Sequence, residues 1–317
     1  MKHGVNILVL IALLAMVVVP KMAMAKVESK VFTYSTVPEL RLTRYVNPAV
    51  QRSNVPAPCI IFAFGGGFTH GERDAVRYLP YFRFMADRGY VVCTIDYRTT
   101  LAGFNPSGGM QAFGEALVAA INTATTDFIT ATAYILGKAK EWNVDPAKII
   151  ASGSSAGAIT AIQASYTMAG GIPAGFPEKF NYAATVSFAG ALLSEGAPEI
   201  KPNLCPMMLF QGDADRQVPY NSLVLGPIGL YGSNYLASAI KSAGGEGAFW
   251  TVLGAGHEMS EKPMTENLYD IEGFLHHVLA HGRKQFAVTT VTIPHTAPYQ
   301  TEFSIADYIQ ANMPSKK

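Results

Sequence analysis

Charge is scarce in this chain: only 15% of its 317 residues are Asp, Glu, Lys or Arg, and they cancel to a formal net charge of +1. A nucleic-acid partner needs a basic surface excess to neutralise phosphates, so such a partner is not expected. Cysteine is rarer still, with three residues, Cys59, Cys93 and Cys205. That count argues against the dense disulfide framework of a small secreted domain. Cys59 and Cys93 lie in apolar strand-like runs and Cys205 precedes Pro206, so all three read as buried free thiols. Beyond residue 25 no segment resembles a transmembrane helix, and no repeat or low-complexity tract breaks the chain. No cofactor or metal is read from the sequence.

What the chain does have begins at its start. Lys2 and His3 precede an apolar run from Ile7 to Val19, and Ala23-Met24-Ala25 supplies the small residues that a signal peptidase needs. Residues 1–25 therefore read as a signal peptide cleaved after Ala25. The run falls short of the roughly 20 residues that span a bilayer, and no cysteine stands at the cleavage site to take a lipid. A secreted or periplasmic protein without a membrane anchor is expected. Residues 26–317 are long enough for one large α/β domain, with 284–317 as a C-terminal extension of unassigned role.

From Val31 onward, strand-like runs alternate with helical ones, the pattern of a mostly parallel sheet covered on both faces. Val31–Thr36 and Leu40–Val46 read as a leading antiparallel pair. Cys59–Phe64 and Tyr90–Ile95 are continuous apolar runs, as expected of central strands buried on both sides. Helices are expected over Tyr78–Arg88, Ala116–Trp142, Ala156–Met168, Asn234–Ser242 and Met264–Leu279. Further strands are expected at Lys148–Ala151, Ala183–Phe188, Met207–Phe210 and Ala248–Leu253. The tail, with a β-prone stretch at Val288–Ile293 and a short helix at Ile305–Met313, is expected to pack on the sheet edge or the outer helices.

Gly153-Ser154-Ser155-Ala156-Gly157 matches G-x-S-x-G where a strand ends and a helix begins. Small neighbours are what a nucleophile on a tight strand-to-helix turn requires, so Ser155 is the candidate nucleophile. Phe64-Gly65-Gly66-Gly67-Phe68 follows the first central strand. Consecutive glycines leave main-chain N–H groups uncovered, as an oxyanion hole needs; the candidate donors are Gly66 or Gly67 together with Ala156. A phosphate-cradling loop is the rival reading, but no Gly-Lys-Ser/Thr follows. A serine hydroxyl needs a base, and the base needs an orienting acid. His257 lies in a glycine-rich loop after a strand, and Asp213 and Asp215 lie in the loop after the preceding strand. In an open parallel sheet such loops gather on one edge. The order serine, acid, histidine is that of the α/β-hydrolases. His70 is close enough in sequence to the glycine loop to line a site; His276, His277 and His281 ride on the last helix, and His295 is in the tail.

On these residues, with Asp96-Tyr97-Arg98, Asp145-Pro146 and Gly212–Pro219, the chain resembles the esterase and lipase branch of the α/β-hydrolase superfamily. The resemblance implies the α/β-hydrolase fold, with a mostly parallel eight-stranded sheet and a small or absent cap. It implies a serine carboxylesterase of short-acyl or aryl esters, similar to secreted bacterial acetyl and feruloyl esterases of plant polysaccharides. In the family pattern Gly-x-x-Asp-x-x-Val-Pro the acid is Asp215, and Asp96-Tyr97-Arg98 braces a loop. Phe68, Phe104 and Val218 are the candidate substrate-binding side chains, with Leu101–Gly114 as a pocket wall. The substrate is then a small-molecule or saccharide-linked ester. Relatives commonly carry His where this chain has Phe64, so the hydrogen bonds of that histidine must be replaced. A peptidase on the same fold and a non-catalytic binding protein are the alternative readings. A dienelactone-hydrolase-like enzyme is disfavoured because Ser155 stands where such enzymes usually have Cys.

Overall fold

The computed structural model describes residues 26–105, 109–280, 285–294, 298–304, 306, 307 and 310. The signal-peptide reading of residues 1–25 lies outside them, as do His281, His295 and most of the helix expected over Ile305–Met313. A nine-stranded sheet carries the fold, in spatial order β1-β2-β4-β3-β5-β6-β8-β11-β12. Its strands are β1 (Glu28–Thr36), β2 (Glu39–Val46), β3 (Ala57–Ala63), β4 (Val91–Ile95), β5 (Val144–Ser154), β6 (Ala184–Phe188), β8 (Met207–Gly212), β11 (Gly247–Leu253) and β12 (Phe286–Thr292). All neighbours from β4 to β12 are parallel, and β2 joins β4 antiparallel. This confirms the α/β-hydrolase architecture with one correction: nine strands, not eight. The ninth is β12, which continues the sheet beyond β11 in parallel register.

Among the described residues, the helices that flank or connect the strands are α1 (Pro48–Gln51), α2 (Leu79–Asp87), α3 (Gly109–Gly137), α4 (Ala139–Trp142), α5 (Ala156–Gly170), α6 (Ser233–Ser242), α7 (Pro263–Glu266) and α8 (Leu268–Leu279). The step β3–α2–β4 runs one way along the sheet and β5–α5–β6 runs the other. Right-handed crossovers in opposite directions put α2 and α5 on opposite faces, and α3 accordingly packs on α5 while α2 packs on α7 and α8. Phe249 and Thr251 of β11 face α6, whereas Trp250 faces α8. The steps β8–α6–β11 and β11–α8–β12 run the same way with their helices on opposite faces, so the last crossover has the unusual hand. The central strands are apolar because both faces are covered; Cys59 to Ala63 is wholly buried.

Four local expectations differ: the helix expected over Ala116–Trp142 breaks at Lys138 into α3 and α4, that over Met264–Leu279 breaks at Asn267 into α7 and α8, and two elements start earlier than expected. Helix α3 starts at Gly109, seven residues before Ala116, because burial of Phe113 and Leu117 outweighs the roughly 1 kcal/mol helix cost of Gly114. Strand β5 starts at Val144, although Asp145 keeps turn character by accepting the Ala147 N–H. A second, three-stranded antiparallel sheet, β7-β10-β9, was not anticipated: β7 (Ala191–Glu195), β9 (Ser222–Leu225) and β10 (Ile228–Gly232). Its β9–β10 turn uses Gly226 at φ +61°.

All three cysteines are free and buried. Burial pushes the Cys205 thiol up to about 11 and the Cys59 thiol well above its ordinary value. All three sulfurs are buried away from solvent in the folded state, so a chromogenic thiol reagent should find no reactive group under native conditions. It should titrate three thiols after denaturation. A count of one would reveal a Cys59–Cys93 disulfide.

Candidate active site

The crevice outside the C-terminal ends of β3 and β5 is where the strand order reverses, with β4 on one side and β6 on the other. Ligand sites of open α/β sheets lie at such points. Ser155 stands there, at the junction of β5 and α5, with φ 52° and ψ −118°, a conformation that costs an L-residue about 1–3 kcal/mol. The neighbouring glycines are spatial necessities. A Cβ on Gly153 would sit 2.2 Å from the Gly157 carbonyl oxygen, and one on Gly157 would sit 2.1 Å from that of Ala63. The Ser155 N–H donates to the Phe188 carbonyl at 2.8 Å, which ties the turn to the end of β6.

His257 and Asp215 complete a hydrogen-bonded line. With its proton on Nδ1, the imidazole donates to Asp215 Oδ2 at 2.8 Å, and Nε2 accepts from the Ser155 hydroxyl at 2.8 Å. The Asp215 side chain is fully buried and that of His257 is 13% exposed. A buried carboxylate needs donors; Asp215 Oδ1 also accepts the N–H groups of Gln217 at 2.8 Å and Val218 at 3.0 Å. Asp213 does not reach the histidine side chain. Its Oδ1 accepts the Gly254 N–H at 2.6 Å, where the histidine loop begins.

Gly65, Gly66 and Gly67 form a loop beside Ser155. Gly66 and Gly67 have φ +140° and +60°, and among the described residues no acceptor meets their N–H groups. The Ala156 N–H opens α5, where no intrahelical carbonyl is within reach. Phe64 replaces hydrogen bonding with packing: its ring stacks on Tyr97 at 4.3 Å between centroids. The Tyr97 hydroxyl donates to the Phe64 carbonyl at 2.7 Å, and the Tyr78 hydroxyl accepts the Gly65 N–H at 3.0 Å. Asp96 pairs with Arg73, and Arg98 makes a forked pair with buried Asp127, so Asp96-Tyr97-Arg98 braces this region.

The other candidates are placed as follows. Phe68 is fully buried, edge-on to Tyr97. Val218 is buried in the acid loop. Phe104 is partly buried against Phe113. His70 is exposed and bonded to the Thr69 hydroxyl; His276 is exposed, and His277 lies 3.6 Å from Glu246.

Three supporting residues escaped the sequence reading. Gln211, buried in β8, donates to the Val218 carbonyl at 3.0 Å and accepts the Ser233 N–H at 2.9 Å, so it fastens the acid loop to α6. Its signal was an amide in an otherwise apolar strand. The Ser154 hydroxyl donates to the Ser260 carbonyl at 2.9 Å and ties the nucleophile turn to the segment after His257. No sequence feature marks that contact, nor the role of Tyr78. An apolar cavity of about 370 Å³ lies between the first turns of α3 and the small sheet, with Leu117, Leu193, Leu223 and Leu230 in its wall. Among the described residues no group of three or more His, Cys, Asp or Glu could hold a metal ion, and no helix is long and apolar enough to cross a membrane.

The chain is similar to known proteins in sequence and in fold. The BD-FAE family model matches residues 45–191, a stretch that contains the glycine loop and Ser155 and ends before Asp215. The chlorogenic acid esterase of Aspergillus niger is 26% identical over 142 residues, 45% of this chain and 25% of that protein. The chain thus matches about a quarter of that relative's length. Among solved structures, the propionate-bound esterase Est2 of the planctomycete Thermogutta terrifontis superposes with TM-score 0.58 at 24% identity, covering 82% of this chain and 96% of that one. The same esterase phosphorylated by paraoxon gives TM-score 0.52 at 25% identity, covering 81% and 92%.

The glycine geometry makes a prediction independent of any reaction. Gly157→Ala must push α5 from β3 and should cost about 1–3 kcal/mol or more in denaturant unfolding. Gly273→Ala, in α8 with nothing within 4 Å, should stabilise by up to about 1 kcal/mol. Equal effects would refute the close approach.

Proposed function

We propose that the chain is a serine carboxylesterase of the esterase and lipase branch of the α/β-hydrolases that works through an acyl-enzyme. The observation that carries this reading is the continuous line from Ser155 Oγ through His257 to buried Asp215. Ser155 Oγ attacks the ester carbonyl carbon as its proton passes to His257 Nε2. Asp215 holds the ring orientation and stabilises the imidazolium. The oxyanion receives hydrogen bonds from the Ala156 N–H and from Gly66 or Gly67, which are rigid main-chain donors already aimed before the charge develops. His257 then gives its proton to the departing alkoxide, and the ester C–O bond breaks. A water, deprotonated by the same nitrogen, attacks the acyl-enzyme carbonyl; the acid leaves and Ser155 recovers its proton.

For substrate, we favour short-acyl or aryl esters, on plant polysaccharides among others, met outside the cytoplasm after export through residues 1–25. The likeness to a chlorogenic acid esterase and to an esterase solved with propionate and butyrate supports this choice. The apolar cavity beside α3 is a suitable berth for an aryl or butyryl group: its segments follow β4, β6 and the acid loop, and the Leu101 N–H beyond β4 donates to the Phe68 carbonyl beside the glycine loop at 3.0 Å.

A fluorophosphonate probe tests the nucleophile. Ser155→Ala should abolish labelling and lower kcat by at least roughly 10³-fold with the fold intact. Asp215→Asn should cost on the order of 10⁴ in kcat, and Asp213→Asn far less. Retained labelling without Ser155 would remove it as nucleophile, and the opposite ranking of aspartates would move the acid. An acyl-length series on p-nitrophenyl esters tests the substrate class. Acetyl and butyryl esters should exceed palmitoyl in kcat/KM by roughly 10-fold or more, with no jump in rate at the solubility limit. A long-chain preference would make lipase the better description.

A further inference from the structure

Parallel pairing of β12 with β11 has a consequence for the tail. Because both strands run the same way, the chain leaves β12 at the edge where the histidine loop leaves β11, and the Ile293 N–H donates to the Leu253 carbonyl at 3.0 Å. The described residues that follow then meet the acid loop on both sides of Asp215. Two residues before it, Asp213 Oδ2 accepts from the Tyr299 hydroxyl at 3.3 Å, while Oδ1 of the same carboxylate holds the Gly254 N–H. One residue after it, the Arg216 guanidinium donates to the Gln300 side chain at 2.5 Å and to Asp307. Asp307 is 7% exposed, and its other oxygen accepts from the Ser304 N–H at 3.0 Å and the Ser304 hydroxyl at 2.8 Å. Those bonds, with the adjoining Arg216, hold its carboxyl below the usual carboxylate range.

We propose that the C-terminal extension, through Tyr299 and Asp307, is a clamp that positions the acid loop and so sets where Asp215 presents its carboxylate to His257. This rests on the serine-hydrolase reading above. Tyr299, Asp307 and Arg216 are positioning residues that act through Asp213 and Asp215. The Asp215 carboxylate is fastened to its own loop by the Gln217 and Val218 N–H groups, so a shift of the loop moves the carboxylate with it. Arg216 lies inside the turn that those bonds close, between Asp215 and Gln217, and the tail grips it from outside. Gln211 holds the same loop from inside. With Arg216 46% exposed, its ion pair is a weak source of stability. Its effect belongs in the turnover number.

The test measures kcat and KM separately on p-nitrophenyl butyrate, with melting temperature in parallel, for Tyr299→Phe, Arg216→Asp, Asp307→Arg and the double swap. Lys138→Ala, at an exposed helical ion pair, is the control and should match wild type. Each single change at Arg216 or Asp307 should lower kcat on the order of 10-fold, with KM within about 2-fold, since a misplacement of about 1 Å can cost that much and more. The double swap should restore most of kcat. Tyr299→Phe should act in the same direction and more weakly. Unchanged kcat in the single variants would overturn the clamp, as would a loss of kcat that tracks melting temperature and is not recovered in the swap. A wild-type chain that neither labels with fluorophosphonate nor cleaves the ester would instead refute the underlying reading, and the clamp would fall with it.

Discussion

Helix α5 starts so close to the end of β3 that only a hydrogen fits at Gly157, and the rest of the site follows from that approach. A Cβ there would sit 2.1 Å from the Ala63 oxygen, and the reciprocal space at Gly153 is as tight. Bringing the helix start onto the sheet forces the chain through a sharp turn, and Ser155 absorbs it in a conformation that L-residues avoid. The same approach sets the first N–H of α5 beside the loop that leaves β3. Main-chain donors from two elements therefore converge without any side chain being aimed. The partial positive charge of the helix start adds to their effect.

Holding the line to His257 is a separate problem, solved by cross-ties between loops. Asp215 is buried and takes its donors from its own loop, from the imidazole and weakly from Gln211. Asp213 couples that loop to the one carrying His257, and Ser154 couples the nucleophile turn to the segment beyond it. Each tie satisfies a buried polar group that would otherwise be costly. The ties also remove freedom between side chains whose positions in the chain are far apart, Ser155 and His257 being 102 residues distant.

Phe64 illustrates what such a loop can change. Where relatives commonly place a hydrogen-bonding histidine, this chain stacks an aromatic ring on Tyr97 and lets two tyrosine hydroxyls hold the main chain on either side. The substitution is tolerated because the loop's chemistry resides in backbone N–H groups, whose direction depends on φ and ψ. Gly71 is part of the same accommodation: a Cβ there would meet the Phe64 ring at 2.3 Å.

The sequence by itself determined the alternation of central strands and helices, the Ser155 turn, the glycine loop and the order of the three polar residues. These are local patterns: continuous apolar runs, glycines where no side chain fits, and polar residues just past strand ends. Tertiary structure alone decided the rest. Nothing in Ala191–Glu195 or Ser222–Leu225 marks a strand until β10 supplies their partners, because a short strand is stabilised by its neighbours more than by its own propensity. The family pattern pointed to Asp215 over Asp213, but the separate task of Asp213 was not legible: the loop's path sends it to Gly254 while Asp215 reaches His257. The tail had a legible place, at the sheet edge or on the outer helices, but no legible role. It acquired one when β12 paired in parallel with β11, which delivers Tyr299 and Asp307 to the acid loop. Contacts between residues distant in the chain are set by topology, and local sequence does not encode them.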